Sequence, residues 1–179
     1  MDDLKNSIFS TPLLKVLSFL FDYPDKELSD QEIVKGIKGV KRSAVHQSLV
    51  RLANLGAVKR VSRGRSCFST LDHNNVWIGY LKVAGNVMEI SPLVNALKDR
   101  SSKIVLFGSR ASGTNRGDSD FDLAVVSNDP ASIRSIVAGS DLGDRVQLVV
   151  KTPLEMLGLE SAEQVFASEI RKGVVLWER

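Results

Sequence analysis

Apolar residues recur at helical spacing in the first third of the chain. Between residues 13 and 55, leucine, valine and isoleucine return every three or four positions in three successive bands, which predicts three amphipathic helices. Ser29 followed three residues later by Glu32 is a capping-box pattern, so we expect the second helix to begin there and to end at Gly39. Ser43 is expected to open the third helix, because serine side chains cap free backbone N–H groups.

Two short segments that alternate apolar and polar residues come next. Residues 58–61 and 67–71 have the two-residue period of strands with one buried face, and an arginine- and glycine-rich turn joins them. Three helices followed by a basic hairpin form a winged helix-turn-helix arrangement, and residues 1–72 are predicted to be this domain. The third helix resembles the recognition helix of winged-helix transcription regulators.

Residues 74–98 form a helical stretch that has no clear polar face. A helix of this kind needs burial on two sides, so we expect it to bridge two domains and to pack against a second copy of the chain in a homodimer. Pro92, preceded by Ser91, is expected to break the helix, because proline lacks the N–H that an interior position needs. Residues 73–92 are therefore assigned to a linker or dimerisation helix, and residues 93–179 to a second domain.

The second domain alternates strands and helices. Short apolar runs at 104–107, 120–126, 145–150 and 174–177 predict strands, and the stretches between them have helical periodicity or helix-start signals. This mixture indicates an α/β domain in which helices pack against a sheet. The fold class predicted for the whole chain is therefore an α+β domain followed by an α/β domain.

A candidate chemical site lies between the first two of these strands. Asp120 and Asp122 are separated by Phe121, and since side chains alternate faces along a strand, the two carboxylates should point the same way. Adjacent carboxylates repel each other unless a cation or a proton lies between them, and Mg²⁺ takes one or two carboxylates together with water and phosphate oxygens. Gly108 permits close backbone approach, and Ser109 is expected at the start of a short helix, where a phosphate is favoured.

The same stretch carries a family resemblance. The pattern Gly108-Ser109, Gly113 and Ser119-Asp120-x-Asp122-Leu123 resembles the signature of the polymerase-β-type nucleotidyltransferase superfamily, in its minimal branch. The resemblance extends over about residues 93–178 and implies a nucleotidyltransferase fold, a mixed sheet flanked by helices. It also implies transfer of a nucleoside monophosphate from an NTP, with ATP the first candidate, assisted by two Mg²⁺ ions during in-line displacement.

Carried over residue by residue, the resemblance implies a role for each position. Asp120 and Asp122 would be catalytic and would ligate the metal. The nucleotide-binding set would be Gly108, Ser109, Arg110 and Arg116. The family's third carboxylate usually lies on the following strand, where this chain has Gln147, which offers a carbonyl oxygen but neither a charge nor a base. Gln147 is therefore predicted to belong to the catalytic residues with Asp120 and Asp122, and its presence favours nucleotide binding without turnover.

Charge is unevenly distributed along the chain. The formal net charge is +3, but residues 1–72 carry 12 Lys and Arg against 8 Asp and Glu, whereas residues 73–179 carry 12 against 13. No acidic residue occurs between Glu32 and Asp72, where nine basic residues do, so a polyanion is the expected partner. The residues predicted to contact double-stranded DNA are Lys41, Arg42, Ser43, His46, Gln47, Arg51, Arg63 and Arg65. The alternative is that they form the solvated faces of a protein-interaction module.

Composition indicates the compartment. Cys67 is the single cysteine, which excludes an internal disulfide framework and fits a reducing environment. The first ten residues are acidic and poor in apolar residues, unlike a signal peptide, and no apolar run is long enough to span a bilayer. We therefore expect a soluble, cytoplasmic protein without a membrane partner.

Three functions stay open at this point. The first is a DNA-associated, Mg²⁺-dependent nucleotidyltransferase that acts on an unknown acceptor, for which a protein is one candidate. The second is a winged-helix transcription regulator whose transferase-like domain binds nucleotide or a partner protein without catalysis. The third is an antitoxin-like role in which a partner protein is modified or masked. Asp120 and Asp122 favour metal and nucleotide binding, Gln147 favours loss of chemistry, and the enzyme is the prediction adopted.

Overall fold

The described residues separate into two compact units. The structure is a computed structural model that describes residue 5, residues 8–72 and residues 74–179, without the side chains of residues 160–162. The first unit takes Met1–Lys82 and Arg116–Asp118, and the second unit takes Val83–Asn115 and Ser119–Arg179.

Helices and a small antiparallel sheet make up the first unit. Its elements are α1 (Pro12–Asp22), β1 (Leu28–Ser29), α2 (Asp30–Gly36), α3 (Arg42–Asn54), β2 (Val58–Arg63) and β3 (Ser66–Leu71). The strands have the order β1-β3-β2, and β3 is antiparallel to both neighbours. The predicted helices and hairpin strands are therefore confirmed, and each hairpin strand extends closer to the turn than predicted. The buried apolar side chains that hold these elements together include Val16, Leu17, Leu20, Ile33, Leu49 and Leu52.

Hydrogen bonds confirm the capping box at the start of α2. The Ser29 hydroxyl accepts from the Glu32 N–H at 3.3 Å, and the Glu32 carboxylate accepts from the Ser29 N–H at 2.8 Å. The backbone N–H of Ser29, and after it the Ser29 hydroxyl, hold the pKa of the Glu32 carboxyl below its ordinary value. The box therefore stabilises the charged carboxylate and the helix end together.

Two of the predicted helix ends are wrong. The helix α2 ends at Gly36 rather than Gly39, because Ile37 leaves the helix in an extended conformation (φ −107°, ψ 110°) and buries its side chain. The helix α3 begins one residue before Ser43, with Lys41 at the cap position and no capping side chain among the described residues. Helix boundaries depend on where the chain must turn to reach the core, and local cap signals do not contain that information.

A long helix, α4 (Val76–Leu97), is continuous through the predicted break. Pro92 lies inside it, so the expectation that Ser91 and Pro92 end the helix is wrong. Ile90, Leu93 and Leu97 of α4 are buried in the core of the second unit. Burial of these side chains outweighs the loss of one backbone hydrogen bond at proline.

The first turns of α4 expose apolar side chains. Val76 and Tyr80 are each 73% exposed, and Trp77 is 40% exposed. Within the described chain, these turns are therefore not buried on two sides. Pairing of two copies through this surface stays a prediction.

The second unit contains a mixed sheet with helices on both faces. Its further elements are β4 (Lys103–Phe107), α5 (Gly108–Ser112), β5 (Phe121–Val126), α6 (Pro130–Ala138), β6 (Val146–Lys151), α7 (Pro153–Ala162), α8 (Gln164–Arg171) and β7 (Val174–Glu178). The strand order is β6-β5-β4-β7, with β4 antiparallel to β5 and β7 and β5 parallel to β6. The predicted mixed sheet flanked by helices is confirmed.

Alternate residues of β4 and β5 enter two separate cores. On one face Leu106, Phe121 and Leu123 pack with Ile133 of α6, and residues of α4 join the same cluster. On the other face the buried set is Val105, Phe107, Ala124, Leu159, Ala167 and Ile170. The central strands are buried on both faces, which explains why they read as continuous apolar runs in the sequence.

No helix within the described part of the chain is both long and apolar enough to cross a membrane.

The capping box generates a test with a matched control. Ser29→Ala should lower the free energy of unfolding by about 1 kcal/mol, because it removes the acceptor for the Glu32 N–H. Ser43→Ala should change it by less than about 0.5 kcal/mol, because Ser43 is exposed and does not cap α3. Urea denaturation followed by circular dichroism measures both, and equal losses would contradict the cap assignment.

Candidate active site

Two aspartates and a glutamine meet where β5 begins beside β6. Asp120 precedes Phe121, the fully buried first residue of β5, and Asp122 is the second residue of the strand. Asp122 is opposite Gln147 in the parallel register, and the Gln147 side-chain amide donates to Asp120, with 3.1 Å between Nε2 and Oδ2. The structure thus brings the predicted catalytic residues together.

The environment of Asp122 disfavours its negative charge. Partial burial raises the pKa of the Asp122 carboxyl above its ordinary value, and the neighbouring charge of Asp120 raises it further. The guanidinium of Arg110 lowers the same pKa but does not reverse the direction. A cation held between the two carboxylates would remove their repulsion, so this pair favours cation binding.

Gly108 is required at its position for two independent reasons. It follows β4 with a φ of +69°, in the left-handed region that glycine adopts without strain. The preceding residue, Phe107, is opposite Asp122 in the antiparallel register, and a Cβ on Gly108 would collide with the Asp122 carboxylate. With glycine at position 108, the loop backbone lies closer to the acidic pair than any residue with a side chain would permit.

A short helix, α5, carries the residues predicted to meet phosphate. Ser109 lies half-buried in this five-residue helix, which Gly113 ends with a φ of +75°. The Ser109 carbonyl accepts from the Thr114 N–H at 3.0 Å, which closes the loop on itself. Phosphate binding by Gly108 and Ser109 stays a prediction, supported by their place beside Asp122.

Arg110, predicted to bind phosphate, is buried within the second unit. Only 3% of its surface is exposed, and its Nε and Nη2 donate to the Ser119 carbonyl at 3.0 and 2.7 Å. Its Nη1 donates to the Asn86 side-chain oxygen at 3.0 Å. This geometry does not support the predicted role in phosphate binding and assigns Arg110 to holding the loop. Asn86 was missed by sequence reasoning, although an asparagine in the middle of an apolar helix was the available signal.

Arg116 groups with the other unit. Residues 116–118 belong to the first unit, and there Arg116 forms an exposed ion pair with Asp25, with 2.8 Å between Nη2 and Oδ2. Placement of Arg116 in the nucleotide-binding set with Gly108 therefore stays a prediction without support from the contacts of the second unit.

The residues predicted to contact DNA lie on the surface of the first unit. Exposed side chains from the cap and outer face of α3 and from the hairpin are Lys41, Arg42, Ser43, His46, Gln47, Arg51, Arg63 and Arg65. They combine an amide, hydroxyl and imidazole that can meet base edges with guanidinium and ammonium groups that can meet phosphates.

Acidic partners already contact part of this surface. Arg63 donates to both carboxylate oxygens of Glu27, at 2.7 and 3.0 Å. Asp30 accepts from Arg60 at 2.9 Å, and the Asp30 Oδ2 lies 3.1 Å from the His46 Nδ1. Sequence reasoning missed both carboxylates, because they precede the basic stretch in the chain and meet it only after folding.

The donor set at the site fits one Mg²⁺ ion. Within the part of the chain that the structure describes, no group of three or more His, Cys, Asp or Glu side chains could hold a metal ion. Asp120 and Asp122 supply two carboxylates, and Mg²⁺ commonly takes one or two and completes its shell with water and phosphate oxygens. The residues present therefore fit a single ion delivered with a nucleotide, and a second separately held ion lacks ligands among them.

Substitution of Gly108 tests the close approach to Asp122. Gly108→Ala should lower the thermal unfolding midpoint more than Gly39→Ala does. Both residues have positive φ, +69° and +73°, but a Cβ at Gly39 meets no described atom within 4 Å. Backbone strain is therefore matched, and only the first variant must displace a carboxylate. Equal midpoints would contradict the predicted collision.

The raised pKa of Asp122 predicts how stability changes with pH. A carboxyl with a raised folded-state pKa binds extra protons in the folded state, so stability falls as pH rises from the unfolded to the folded pKa. Asp122→Asn should therefore unfold at a higher temperature than the wild type at pH 7, because the neutral amide escapes burial of charge and repulsion by Asp120. The difference should vanish below about pH 3.9, where the unfolded aspartate is also protonated. Thermal scans across pH measure it; the exposed turn variant Asp141→Asn, as control, should show no such gain.

Comparison with known proteins agrees with the geometry of the second unit. Residues 92–179, just under half of the chain, match the family model described as "Polymerase beta, Nucleotidyltransferase". A search of curated proteins found no match to the chain. The family match covers the mixed sheet, the Gly108 turn and the Asp120–Asp122–Gln147 cluster. The C-terminal half of the chain is therefore supported as a nucleotidyltransferase-type domain of the polymerase-β superfamily.

Proposed function

We propose that the protein is a DNA-associated, Mg²⁺-dependent nucleotidyltransferase that transfers a nucleoside monophosphate from an NTP to an acceptor. The observation that carries the proposal is the cluster of Asp120, Asp122 and Gln147 against the Gly108 turn. ATP is the NTP to test first, and a protein is one candidate acceptor. The family match over residues 92–179 supports the reaction class.

The acidic pair supplies what nucleotide binding requires. Asp120 and Asp122 would hold Mg²⁺, which when bound supplies positive charge to the phosphates of the nucleotide. Because Gly108 has no Cβ, the loop backbone can lie against the Asp122 carboxylate, where a side chain at this position would collide. A phosphate bound to this backbone would then lie beside the carboxylates. Gln147 fixes the Asp120 carboxylate by donating to it.

A second candidate function rests on the chemistry of Gln147. Its amide cannot take a proton from an acceptor hydroxyl, and it adds no negative charge to the metal site. A winged-helix regulator that binds nucleotide or a partner protein without turnover would need nothing more than the residues present. In an active enzyme, the acceptor proton would pass to water or to a base on the acceptor molecule.

The first unit supports association with DNA. The order of its helices and antiparallel hairpin fits a winged helix-turn-helix domain, in which α3 would be the recognition helix and β2–β3 the wing. The exposed basic residues of α3 and the hairpin would contact base edges and phosphates. Glu27 and Asp30 would hold some of these side chains in place before DNA binds.

Calorimetric titration of Mg²⁺ and ATP tests the nucleotide site. The wild type should bind ATP only when Mg²⁺ is present, and Asp120→Asn should abolish this binding because it removes one of two metal ligands. The exposed Asp141→Asn should bind like the wild type and controls for loss of charge. Equal affinity in wild type and Asp120→Asn would remove the site assignment.

Gln147→Asp distinguishes the two candidate functions. If the protein is an enzyme limited by the missing third carboxylate, Gln147→Asp should increase transfer of labelled AMP from α-labelled ATP to protein or nucleic acid, with release of pyrophosphate. Nucleotide binding without any transfer, in both wild type and variant, would favour the regulator.

Salt dependence tests the DNA surface. Arg63→Ala combined with Arg65→Ala should weaken binding to duplex DNA and reduce the slope of log K against log salt by about 0.9 for each phosphate that the variant no longer neutralises. Arg134→Ala, an exposed arginine on α6 of the second unit, should leave the slope unchanged. An unaltered slope in the hairpin variant would mean that the hairpin does not contact phosphates.

A further inference from the structure

We propose that Arg110 and Asn86 are positioning residues that hold the backbone of residues 119–122, so that Asp120 and Asp122 face one shared ligand. The identity of that ligand as a nucleotide-bound cation rests on the proposed function. The positioning itself rests on the buried contacts of these two side chains.

The guanidinium of Arg110 binds the loop immediately before β5. Its Nε donates to the carbonyls of Ser119 and Asp120 at 3.0 and 3.2 Å, and its Nη2 donates to the Ser119 carbonyl at 2.7 Å. The guanidinium carbon lies 3.9 Å from the centre of the Phe121 ring. One planar group thus contacts three consecutive residues, the last of which separates the two aspartates.

Asn86 fixes Arg110 in turn. The Asn86 side-chain oxygen accepts from Arg110 Nη1 at 3.0 Å, and its Nδ2 donates to the Arg110 carbonyl at 2.9 Å. Nδ2 also donates to the side chain of Asn115 at 2.9 Å. Arg110, Asn86 and Asn115 are each at most 5% exposed, so water cannot readily replace a missing hydrogen-bond partner.

Asp120 is consequently held at both ends. Its backbone carbonyl accepts from Arg110, and its carboxylate accepts from Gln147 at 3.1 Å. Because Phe121 is buried, strand alternation directs Asp122 to the side of the sheet opposite the Phe121 ring. A small shift of residues 119–122 would separate the two carboxylates, and ligand sites tolerate only about 0.5 Å of displacement.

Two variants separate positioning by shape from the effect of charge. Arg110→Lys keeps the positive charge but lacks the planar fork and the ring contact. Asn86→Ser removes the amide group that accepts from Nη1 and donates to the Arg110 carbonyl, and it leaves Arg110 itself unchanged. Ile170→Val is the control, because it removes a buried methylene of α8 from the other core and does not touch the network.

The experiment has two readouts on these folded proteins. Hydrogen exchange of the amides of residues 120–122, measured without ligand, should be at least about 10-fold faster in Arg110→Lys and Asn86→Ser if opening of this segment is eased. Calorimetric affinity for ATP with Mg²⁺, at a temperature where every variant is fully folded, should fall about 10- to 100-fold in both. Ile170→Val should change neither readout even though its unfolding temperature falls.

Each outcome decides the proposal. Wild-type exchange and affinity in Arg110→Lys would show that charge alone suffices and would overturn it. Lower unfolding temperatures with unchanged exchange in both variants would also overturn it, because the network would then be structural only. Absence of Mg²⁺-dependent ATP binding by the wild type would remove the proposed function, whereas faster exchange in the variants would still support the positioning of residues 119–122.

Discussion

The burial of Phe121 between two aspartates determines where the candidate site of the second unit forms. Its ring is fully buried in the core beneath β5, and the alternation of a strand directs the residue that follows, Asp122, to the opposite side. Arg110 covers the ring at 3.9 Å and holds the carbonyls before it. Burial of this one aromatic side chain therefore fixes the orientation of the strand and with it the direction of the aspartates on either side, which repel each other.

Holding the two carboxylates close together is electrostatically unfavourable, and the raised pKa of Asp122 reflects this. Burial and the Asp120 charge both raise the pKa of Asp122, and Gly108 brings the loop backbone against the same carboxylate. An unfavourable pair of this kind is expected where a ligand supplies the missing positive charge. Gln147 completes the cluster with a hydrogen bond to Asp120 instead of a third negative charge, which limits the repulsion within the cluster.

In the first unit, charges of opposite sign are paired, unlike the two carboxylates of the second unit. Glu27 and Asp30 contact Arg63, His46 and Arg60, so a share of the basic surface is ordered by acidic neighbours. In a DNA complex of the proposed kind, such carboxylates would restrict the rotamers of the basic residues before binding and would compete with phosphates afterwards. The affinity of that surface would then depend on how many of these ion pairs DNA replaces.

Much of the architecture could be predicted because it is encoded locally. The cap of α2 involves residues three positions apart, the helices follow a repeat of three or four residues, and the acidic pair follows the two-residue period of a strand. The Gly108 turn was also identified from the order of residues along the chain, and the Gln147 position from the resemblance to the nucleotidyltransferase signature.

Only the tertiary structure shows which side chains contact and hold one another. Arg110 contacts Asn86, 24 positions away, and the loop carbonyls 9 and 10 positions away, and this burial distinguishes a positioning arginine from a phosphate ligand. Pro92 stays inside α4 because core packing outweighs its local preference. Local sequence determines the backbone period and the capping box of α2, whereas other helix ends and the role of a charged side chain depend on burial and on partners that the fold brings together from distant positions.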